Sequence, residues 1–421
     1  MADPPPGLPA QRVQTRCCIA GGGPAGIVLG FLLARAGVDV VVLEKHGDFL
    51  RDFRGDTVHP STLEVIYELG LLDEFLKLPH QELHEVAIQI GDQRVVVGDF
   101  SHLRTRCRFI VFMPQWDFLT FMAEHARRYP TFHLVMQAEV TGLLEDGGRV
   151  IGVTAQSPGG PLEVRAALTV GADGRHSAVR ELAALVVETL GVPIDVLWMR
   201  LSRHPGDPGQ ALGYITSGRV FVMIDRGDYW QCGLVIPKGG FDAIRQAGIA
   251  SFREALARIV PFATDRVGEL RDWSDVSLLT VLVDRLRRWS RPGLLCIGDA
   301  AHAMSPIGGV GINLAIQDAV AAANILAAPL FRDAPSAGEL DMVQRRREFP
   351  TRVTQWVQVS LQNRVIRPAL GPSGPLSLPL VFRLLRRWPV LRRIPAWLLG
   401  VGVRPEHVNT PNRYAGESVR N

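Results

Sequence analysis

The chain has 421 residues, of which 47% are hydrophobic and 21% charged, a balance typical of globular proteins. This length predicts two or three domains with ample hydrophobic core. The net charge of +4 is too small to indicate a nucleic-acid partner, and no stripe of Lys and Arg with interleaved aromatic residues precedes the C-terminal region. No apolar run reaches the ~18 residues that a membrane-spanning helix needs.

The start of the chain and its cysteines indicate the protein's surroundings. Residues 1–12 are rich in proline and polar side chains, which predicts a disordered lead rather than a signal peptide. The five cysteines include no C-x-x-C pair, so we interpret them as core thiols of a protein in the reducing cytoplasm. His and Cys residues do not cluster at ligand spacing, so no metal site is predicted.

A glycine-rich motif follows the first apolar run of the chain. Residues 17–20 predict a buried strand, and Gly21, Gly23 and Gly26 stand after it at the G-x-G-x-x-G spacing. Gly21 permits a tight turn, Gly23 lets the backbone approach a pyrophosphate, and Gly26 lets the next helix pack closely on the strand. The N-terminus of that helix offers unpaired N–H groups to phosphates.

The segments after this motif complete a strand–helix–strand unit. The apolar helix ends near Gly37, and residues 38–43 predict a second buried strand that leads into Glu44. Glu44 follows Gly26 by about eighteen residues, the position from which a carboxylate accepts hydrogen bonds from an adenosine ribose. Strand, glycines, helix and acid together predict a dinucleotide-binding site.

Two more strands lead into corners that contain Gly and Asp. Residues 167–170 predict a buried strand before Asp173-Gly174, and residues 294–297 predict another before Gly298-Asp299. An open parallel sheet can gather the carboxyl ends of such strands at one crevice. After the second corner, a glycine-rich run leads into an Ala-rich helix whose first N–H groups could hold a developing anion. Taken alone, either aspartate could be a turn or cap residue only.

Two segments alternate apolar and polar residues, which predicts antiparallel strands. They span residues 83–108 and 191–275, and we interpret them as one substrate domain, a sheet that covers a cleft. Candidate substrate-pocket residues alternate along this sheet, although core packing would explain any one of them: Tyr214, Met223, Trp230 and Gln231.

These three motifs, in this order, make the sequence resemble the flavin-dependent aromatic hydroxylases of the para-hydroxybenzoate hydroxylase type, the group A flavoprotein monooxygenases. The resemblance covers roughly residues 16–327. It implies an α/β fold in which a Rossmann-type FAD-binding domain carries an inserted, mostly antiparallel sheet domain and C-terminal helices. The implied boundaries are 13–82, 109–190 and 276–340 for the FAD-binding domain, 83–108 and 191–275 for the substrate domain, and 341–421 for the C-terminal helical region.

The resemblance also implies roles for single residues toward FAD. Asp299 would bind the ribityl chain, Pro306 would lie beside the reactive face of the flavin, and Asn313 would lie along its pyrimidine edge. Arg54 resembles the arginine that this family places near the flavin and pyrophosphate, and Gln115 stands where relatives have Arg or Gln. The full implied set is Gly21, Gly23, Pro24, Ala25, Gly26, Glu44, Lys45, Arg54, Gln115, Val140, Asp173, Gly174, Asp299, Pro306, Gly308, Gly309, Gly311, Ile312 and Asn313.

The implied reaction is a hydroxylation. NAD(P)H would reduce FAD, molecular oxygen would add at C4a, and the resulting hydroperoxyflavin would transfer OH to a phenolic, heteroaromatic or polyketide-like substrate. Three alternatives stay open: a flavin-dependent halogenase or an isoprenoid reductase of the same fold, and a FAD-binding redox sensor without turnover. No catalytic base can be named; the flavin-proximal candidates are Arg54, His59 and Pro306, and both His59 and His302 are more typical of structural hydrogen-bonding histidines.

The C-terminal region combines large apolar residues with arginines, as in the stretches 380–388 and 391–399. Such segments can lie on a membrane surface. They can also cover the apolar back of the catalytic domain while their arginines extend to water. The sequence therefore predicts a cytoplasmic protein and leaves peripheral membrane contact as an alternative, and it does not assign an oligomeric state.

Overall fold

The computed structural model describes residues 11–50, 57–91, 93–207, 213–216, 218–371 and 380–415. In chain order the strands within these ranges are β1 Gln11–Ala20, β2 Val40–Glu44, β3 Thr57–Val58, β4 Gln81–Leu83, β5 Glu85–Ile90, β6 Gln93–Asp99, β7 Ile110–Phe112, β8 Phe132–Met136, β9 Glu139–Asp146, β10 Arg149–Ser157, β11 Gly160–Gly171, β12 Val187–Thr189, β13 Ile194–Ser202, β14 Gly213–Thr216, β15 Arg219–Asp225, β16 Tyr229–Pro237, β17 Ser277–Leu279, β18 Asp284–Leu286, β19 Ser290–Arg291 and β20 Leu294–Cys296. The helices are α1 Pro24–Arg35, α2 Pro60–Glu68, α3 Leu72–Phe75, α4 Gln115–Ala126, α5 Ala178–Leu182, α6 Phe241–Gln246, α7 Ile249–Ile259, α8 Val310–Arg332, α9 Ala337–Leu361, α10 Arg367–Ala369, α11 Leu380–Arg387 and α12 Arg393–Gly400.

The larger sheet contains the strands that the sequence places before each glycine-containing corner. Within the described residues its order is β19-β20-β11-β1-β2-β8, with β10 beside β11 and β9 beside β10. β1 pairs in parallel with β2 and β11, and β11 pairs in parallel with β20. Strands β1, β2, β11 and β20 therefore end at the same edge of the sheet, which is where the three motif loops begin.

Helices α1 and α8 cover this sheet and form its core. α1 has Pro24 in its first turn and buries ten of its twelve residues, as expected of a helix that is apolar on all sides. Its side chains pack with those of α4 and α8 in the main hydrophobic cluster. The core thus fixes the first turns of α1 and α8 beside the edge where the parallel strands end.

Two expectations about the chain need correction. The disordered lead was predicted over residues 1–12, but Gln11 and Arg12 belong to β1 and pair with Leu162 and Glu163, because the twelve-residue strand β11 extends the pairing. Residues 1–10 lie outside the described residues. The segment Ile307–Arg332 is also long and apolar enough to cross a membrane, contrary to the sequence expectation, yet 72% of its apolar window is buried inside the protein, as in a core helix.

The second sheet corresponds to the predicted substrate domain. Its order in the described residues is β17-β13-β16-β15-β14-β5-β6, and all neighbouring pairs except β14 with β5 are antiparallel. β17 joins this sheet although it lies just beyond residue 275, the predicted end of the domain. Both faces of the sheet are covered. One face packs against Phe252 and Leu256 of α7, and the other packs against Phe382 and Leu385 of α11.

The C-terminal region packs back on both sheets. α9 lies along α8, and α11 and α12 lie against the edge strand β6. Residues 404–415 then return to the part of the protein built on the larger sheet, where the Arg413 N–H donates to the Arg35 carbonyl and Tyr414 approaches Tyr129. The last helices and the tail therefore connect the two sheet domains.

Candidate cofactor site and active site

The structure brings the three motif loops together at one edge of the larger sheet. The Ala172 N–H donates to the Ala20 carbonyl at 2.8 Å, which joins the loop after β11 to the loop after β1. The Ile297 N–H donates to the Gly171 carbonyl at 3.0 Å, which joins the loop after β20 to the same strand. A Cβ on Gly298 would lie 3.2 Å from the Cβ of Ala25, so the third loop directly contacts the first turn of α1.

Backbone geometry explains the glycines of the first loop. Gly21 has a φ of +106°, and a Cβ there would lie 2.4 Å from the Ala172 carbonyl oxygen. A Cβ on Gly26 would lie 1.9 Å from the Gly21 carbonyl oxygen, so the first turn of α1 can approach the loop only without a side chain. A Cβ on Gly23, in contrast, would meet no described atom within 4 Å. The loop is therefore tight against the protein at Gly21 and Gly26 and open at Gly23.

Glu44 ends β2 beside this loop, and only 6% of it is exposed. Its Oε2 accepts a 2.9 Å hydrogen bond from the Gly22 N–H, and its Oε1 accepts one of 3.0 Å from the His46 N–H. These bonds fix the carboxylate at the mouth of the glycine loop. A carboxylate oxygen can accept more than one hydrogen bond. The neighbouring Lys45 is exposed.

The Asp173 side chain acts as a turn and helix-cap residue, the role that the sequence left open beside ligand binding. Its Oδ1 accepts a 2.5 Å hydrogen bond from the Ser177 hydroxyl, and its Oδ2 accepts one of 3.1 Å from the Val179 N–H at the start of α5. Burial raises the pKa of this carboxyl, although these hydrogen bonds oppose the shift. Its side chain therefore orders the second loop from inside, and Gly174 follows it in a left-handed conformation with a φ of +86°.

Asp299 faces the opening between the second and third loops. Its side chain is 29% exposed and lies 3.7 Å from the Arg175 guanidinium. A Cβ on Gly311 would lie 3.9 Å from the Asp299 Oδ1, so this carboxylate stands beside the first turn of α8. The Asp299 carboxylate is thus partly exposed beside the start of α8.

The first turn of α8 is held in place by a second strand-and-helix segment. The Thr57 hydroxyl donates to the Gly309 carbonyl at 3.0 Å. Asn313 accepts at Oδ1 from both the His59 N–H and the Thr62 hydroxyl, each at 2.8 Å, and it donates to the Thr57 carbonyl at 3.1 Å. The Asn313 side chain therefore positions the turn within the protein, and any contact of this residue with a ligand would use its backbone.

Both candidate histidines have structural hydrogen bonds. His59 is fully buried, its Nδ1 donates to the Leu399 carbonyl at 2.7 Å, and burial lowers its pKa to about 4 despite that hydrogen bond. His59 is therefore neutral at physiological pH. His302 is also buried, and its Nε2 donates to Asp318 at 2.5 Å. The ring of His302 stacks at 4.9 Å on that of Trp289.

Asp318 is the centre of a buried ionic network that the sequence did not predict. It accepts hydrogen bonds from the Gly298 N–H at 3.1 Å, from His302 and from the Arg347 Nε at 3.0 Å. Burial raises its pKa, but the charges and hydrogen bonds of His302 and Arg347 outweigh burial and hold the pKa below its ordinary value. Arg347 continues the network to Glu406 in the tail at 3.3 Å. The sequence signal for this network was the presence of a charged residue, Asp318, within the apolar helix α8.

Two buried glutamines, one on α9 and one directly after its end, hold the loop that contains Pro306. Gln358 accepts from the Ser305 N–H at 3.1 Å and donates to the Ser305 and Ile307 carbonyls at 2.9 Å each. Gln362 donates to the Ser305 hydroxyl at 2.6 Å. These side chains satisfy backbone groups on both sides of Pro306, so α9 fixes the path of the loop. Sequence reasoning missed them because a glutamine in a helix is usually exposed.

Three of the four predicted substrate-pocket residues lie on one face of the second sheet. Tyr214, Met223 and Trp230 pack in the cluster that includes Phe252 of α7. The Pro306 loop lies against the opposite face of the sheet, where Ile307 packs in the cluster of β6 and α11. These three residues thus point away from the loop. A strand covered on both faces gives no sequence signal for which face meets a ligand.

Gln231 lies on the face toward the loop, together with residues that were not predicted. Its Oε1 accepts from both the Nε and the Nη2 of Arg226, at 3.0 and 2.8 Å. The Arg226 guanidinium lies 6.0 Å from the ring centroid of Phe112. Ile224 packs beside Leu399, whose Cδ1 would lie 2.8 Å from a Cβ on Gly308. An arginine with aromatic and aliphatic neighbours therefore lies across from the glycine-rich run.

The other predicted site residues lie at different distances from this convergence. Gln115 begins α4, shortly after the end of β7. β7 pairs with β3, the strand that contains Thr57. Val140 lies on β9 and packs against the core. Arg54 lies outside the described residues. No group of three metal-ligating side chains occurs among the residues that the structure describes.

The residues at this edge fit a long, anionic dinucleotide. The first turns of α1 and α8 present backbone N–H groups, and among the described residues neither helix has a side-chain cap. Acceptors for sugar and ribityl hydroxyls stand between them at Glu44 and Asp299. The open side at Gly23 leaves room for a diphosphate. Donors for anions and acceptors for hydroxyls thus alternate along one groove.

Comparisons with known proteins agree with this chemistry. Residues 14–357 match the family described as FAD binding domain. A 6-methylpretetramide 4-monooxygenase of Streptomyces rimosus is 35% identical over 395 residues, which cover 92% of this chain and 94% of that protein. Anhydrotetracycline hydroxylase of Streptomyces rimosus has a TM-score of 0.72 at 25% identity, over 93% of this chain and 77% of its own.

A second solved structure shows the same fold. The p-nitrophenol 4-monooxygenase of Pseudomonas putida has a TM-score of 0.76 at 20% identity, over 94% of this chain and 100% of its own. The predicted α/β fold, the enzyme class and the FAD cofactor, with NAD(P)H and oxygen as co-substrates of the class, are confirmed. The chain belongs to the FAD-binding-domain family and is a FAD-dependent monooxygenase with the fold of the aromatic hydroxylases.

Proposed function

We propose that this enzyme hydroxylates a fused polycyclic, phenolic substrate of the aromatic polyketide type, with NAD(P)H as reductant and molecular oxygen as oxidant. The observation that carries this proposal is the convergence of three glycine-and-acid loops on one groove that faces the substrate-domain sheet. The 6-methylpretetramide 4-monooxygenase, at 35% identity over nearly the whole chain, supports a polyketide substrate. It also favours hydroxylation over the halogenase, reductase and redox-sensor alternatives.

In this proposal each part of FAD has its own partners in the chain. Glu44 would accept hydrogen bonds from the adenosine ribose, and the N–H groups of Ala25 and Gly26 would bind the pyrophosphate. Asp299 would bind the ribityl chain, while Pro306 would lie beside the reactive face. The backbone N–H groups of residues 310–312 would face the pyrimidine edge of the flavin, where the start of α8 stabilises negative charge.

The chemistry that FAD would supply when bound is activation of O2, at the expense of NAD(P)H, for transfer of one oxygen atom. The overall reaction balances as ArH + O2 + NAD(P)H + H⁺ giving ArOH + NAD(P)⁺ + H2O. The protein's contribution is to orient the ring and to exclude water. The sheet face with Phe112 and Ile224 provides an apolar wall, and Arg226 would pair with a phenolate or enolate oxygen of the substrate.

We also propose that the protein works in the cytoplasm. All five cysteines are buried and unpaired, as in a reducing compartment. A pool of NAD(P)H, which the reaction consumes, is present there. Fractionation of cells that produce the enzyme, with NAD(P)H-dependent turnover measured in each fraction, tests this location.

The test of the reaction is a screen of the purified yellow holoenzyme with NADH or NADPH against phenols, quinolones and polycyclic aromatic polyketides. We expect NAD(P)H oxidation to be stimulated by a polycyclic phenol, with one oxygen atom from ¹⁸O2 in the product. The Arg226→Met variant should raise KM for that substrate, while the matched variant Arg200→Met on β13 should not. NAD(P)H oxidation that yields only hydrogen peroxide across the screen, or a product without the label, would refute the proposal.

A further inference from the structure

The C-terminal helices α11 and α12 have an inner face that covers the substrate domain. Phe382 and Leu385 of α11 are buried against β6 and its neighbours, and Ala396 of α12 is fully buried near Phe100. Leu399 reaches the glycine-rich run at Gly308. These contacts agree with the interpretation that this region covers an apolar surface of the catalytic domain. They also determine which face of each helix is exposed to solvent.

The outer face of the same helices is apolar as well. Six of the eighteen large hydrophobic side chains that are exposed among the described residues lie between positions 380 and 397. Leu380 and Val381 lie on α11, Ile394 and Trp397 lie on α12, and Trp388 and Val390 lie on the segment that joins the two helices, with exposures from 44% to 63%. A concentration of this kind, rather than single scattered residues, marks an interaction surface. Two of the six are tryptophans, which are enriched where protein meets the headgroup layer of a bilayer.

Positive charge surrounds this apolar surface. From Phe349 to Pro405 the sequence contains nine arginines and neither Asp nor Glu. The positive charge of this segment therefore exceeds the net charge of the whole chain, which is +4. Arg383 and Arg387 stand four residues apart on α11 and are both exposed. By contrast, Arg345 on α9 pairs with Asp341 at 2.6 Å. The outer face of α11 and α12 is thus apolar and basic, and neither helix contains an acidic residue.

We propose that the outer face of α11 and α12 docks on an anionic lipid surface. Exposed aliphatic and indole side chains would enter the interface, and the flanking arginines would contact lipid phosphates. A second copy of the chain is a poor occupant, because a two-fold axis would bring this basic face against itself. Nucleic acid is also a poor occupant, because Leu380, Val390 and Ile394 offer it neither charge nor hydrogen bonds. This surface does not depend on the proposed reaction, and its occupant can be tested without turnover.

The first test is co-sedimentation of the holoenzyme with vesicles of phosphatidylglycerol and phosphatidylcholine in equal parts. Vesicles of phosphatidylcholine alone serve as the neutral reference. We expect binding to the anionic vesicles that weakens with salt, and we expect little binding to neutral ones. The double variant Arg383→Glu/Arg387→Glu should lower the partition coefficient by about 30-fold, since each arginine near an anionic surface contributes about fivefold. The control Arg12→Glu/Arg345→Glu changes the net charge by the same amount at two arginines outside this surface, whose side chains are 80% and 77% exposed. It should bind the vesicles as the wild type does.

The second test addresses the apolar part of the surface. Trp388→Ser/Trp397→Ser should lower vesicle binding by about tenfold. Its control is Phe331→Ser/Met342→Ser, which removes side chains that are 42% and 52% exposed outside this surface. FAD content and the far-ultraviolet spectrum show that each variant is folded. Absence of wild-type binding to anionic vesicles, or equal losses in a test variant and its control, would overturn the proposal. A wild-type dimer that persists without lipid and is lost in Trp388→Ser/Trp397→Ser would overturn it in favour of a second copy.

Discussion

Replacement of Gln358 by methionine separates the stability of the protein from the positioning of the Pro306 loop. Methionine has a similar size and flexibility, so it fills the same space while it removes all three hydrogen bonds to Ser305 and Ile307. Gln358 is only 3% exposed, so water does not readily replace those bonds. Each buried backbone group left without a partner costs about 1–3 kcal/mol, and partial relaxation reduces the sum. We therefore expect a loss of about 2–4 kcal/mol in the free energy of unfolding.

The same change should weaken FAD binding. A loop released from Gln358 must be ordered again when the cofactor binds, and ordering the backbone of one residue costs about 1–2 kcal/mol. This cost corresponds to a Kd for FAD that is higher by about tenfold. Titration of the apoprotein with FAD, followed by flavin fluorescence, measures the Kd, and urea unfolding of the apoprotein measures stability.

The matched control is Gln344→Met on the same helix. Gln344 accepts from the Trp289 N–H at 2.9 Å and donates to the Arg287 carbonyl at 3.0 Å, away from the loop. We expect this variant to lose stability and to keep the wild-type Kd for FAD. If Gln358→Met bound FAD as tightly as the wild type, or if Gln344→Met weakened binding equally, the assignment of Gln358 to the loop's function would be wrong.

Three further changes test other parts of the site. Gly26→Ala places a Cβ at 1.9 Å from a backbone oxygen and should yield a protein without bound FAD. Gly23→Ala adds a Cβ that meets no described atom, so its apoprotein should keep the wild-type melting temperature. Equal melting temperatures for the two apoproteins would contradict these expectations. His59 has a folded pKa of about 4, below its unfolded value, so the unfolded state binds its proton first as pH falls. The free energy of unfolding should therefore drop by about 2 kcal/mol from pH 7 to pH 5, a drop that His59→Asn should abolish in urea titrations. Asp318→Asn removes the buried carboxylate that pairs with both His302 and Arg347 and should cost about 3–5 kcal/mol in the same assay. A loss below about 1 kcal/mol would contradict the network.

Much of the fold follows from local sequence patterns. The run of apolar residues, glycines and Glu44 specifies strand, turn, helix and strand by short-range geometry alone, and the clash distances at Gly21 and Gly26 explain why those positions lack side chains. Similar strand ends at Asp173 and Asp299 could be placed at one sheet edge because parallel strands share their direction.

The contacts that sequence reasoning missed join segments far apart in the chain. Gln358 is 53 residues from Ser305, and no periodicity of either segment indicates their pairing. On β16, positions Trp230 to Ile236 are all buried, so alternation could not reveal which face meets the Pro306 loop. Asp173 shows a different difficulty, because the same Asp-Gly pair suits a ligand and a helix cap equally well, and only the positions of Ser177 and Val179 decide what its side chain does.

The order of strands in the larger sheet has a consequence for biosynthesis. β1 and β2 are made before β20 and the first turn of α8, and the strands of the whole second sheet lie between them in the chain. Until then the nascent polypeptide exposes the apolar edge of β11 that β20 later covers. Flavin loading must consequently follow synthesis of β20 and the start of α8, and a polypeptide truncated before β20 would have an unprotected sheet edge at β11.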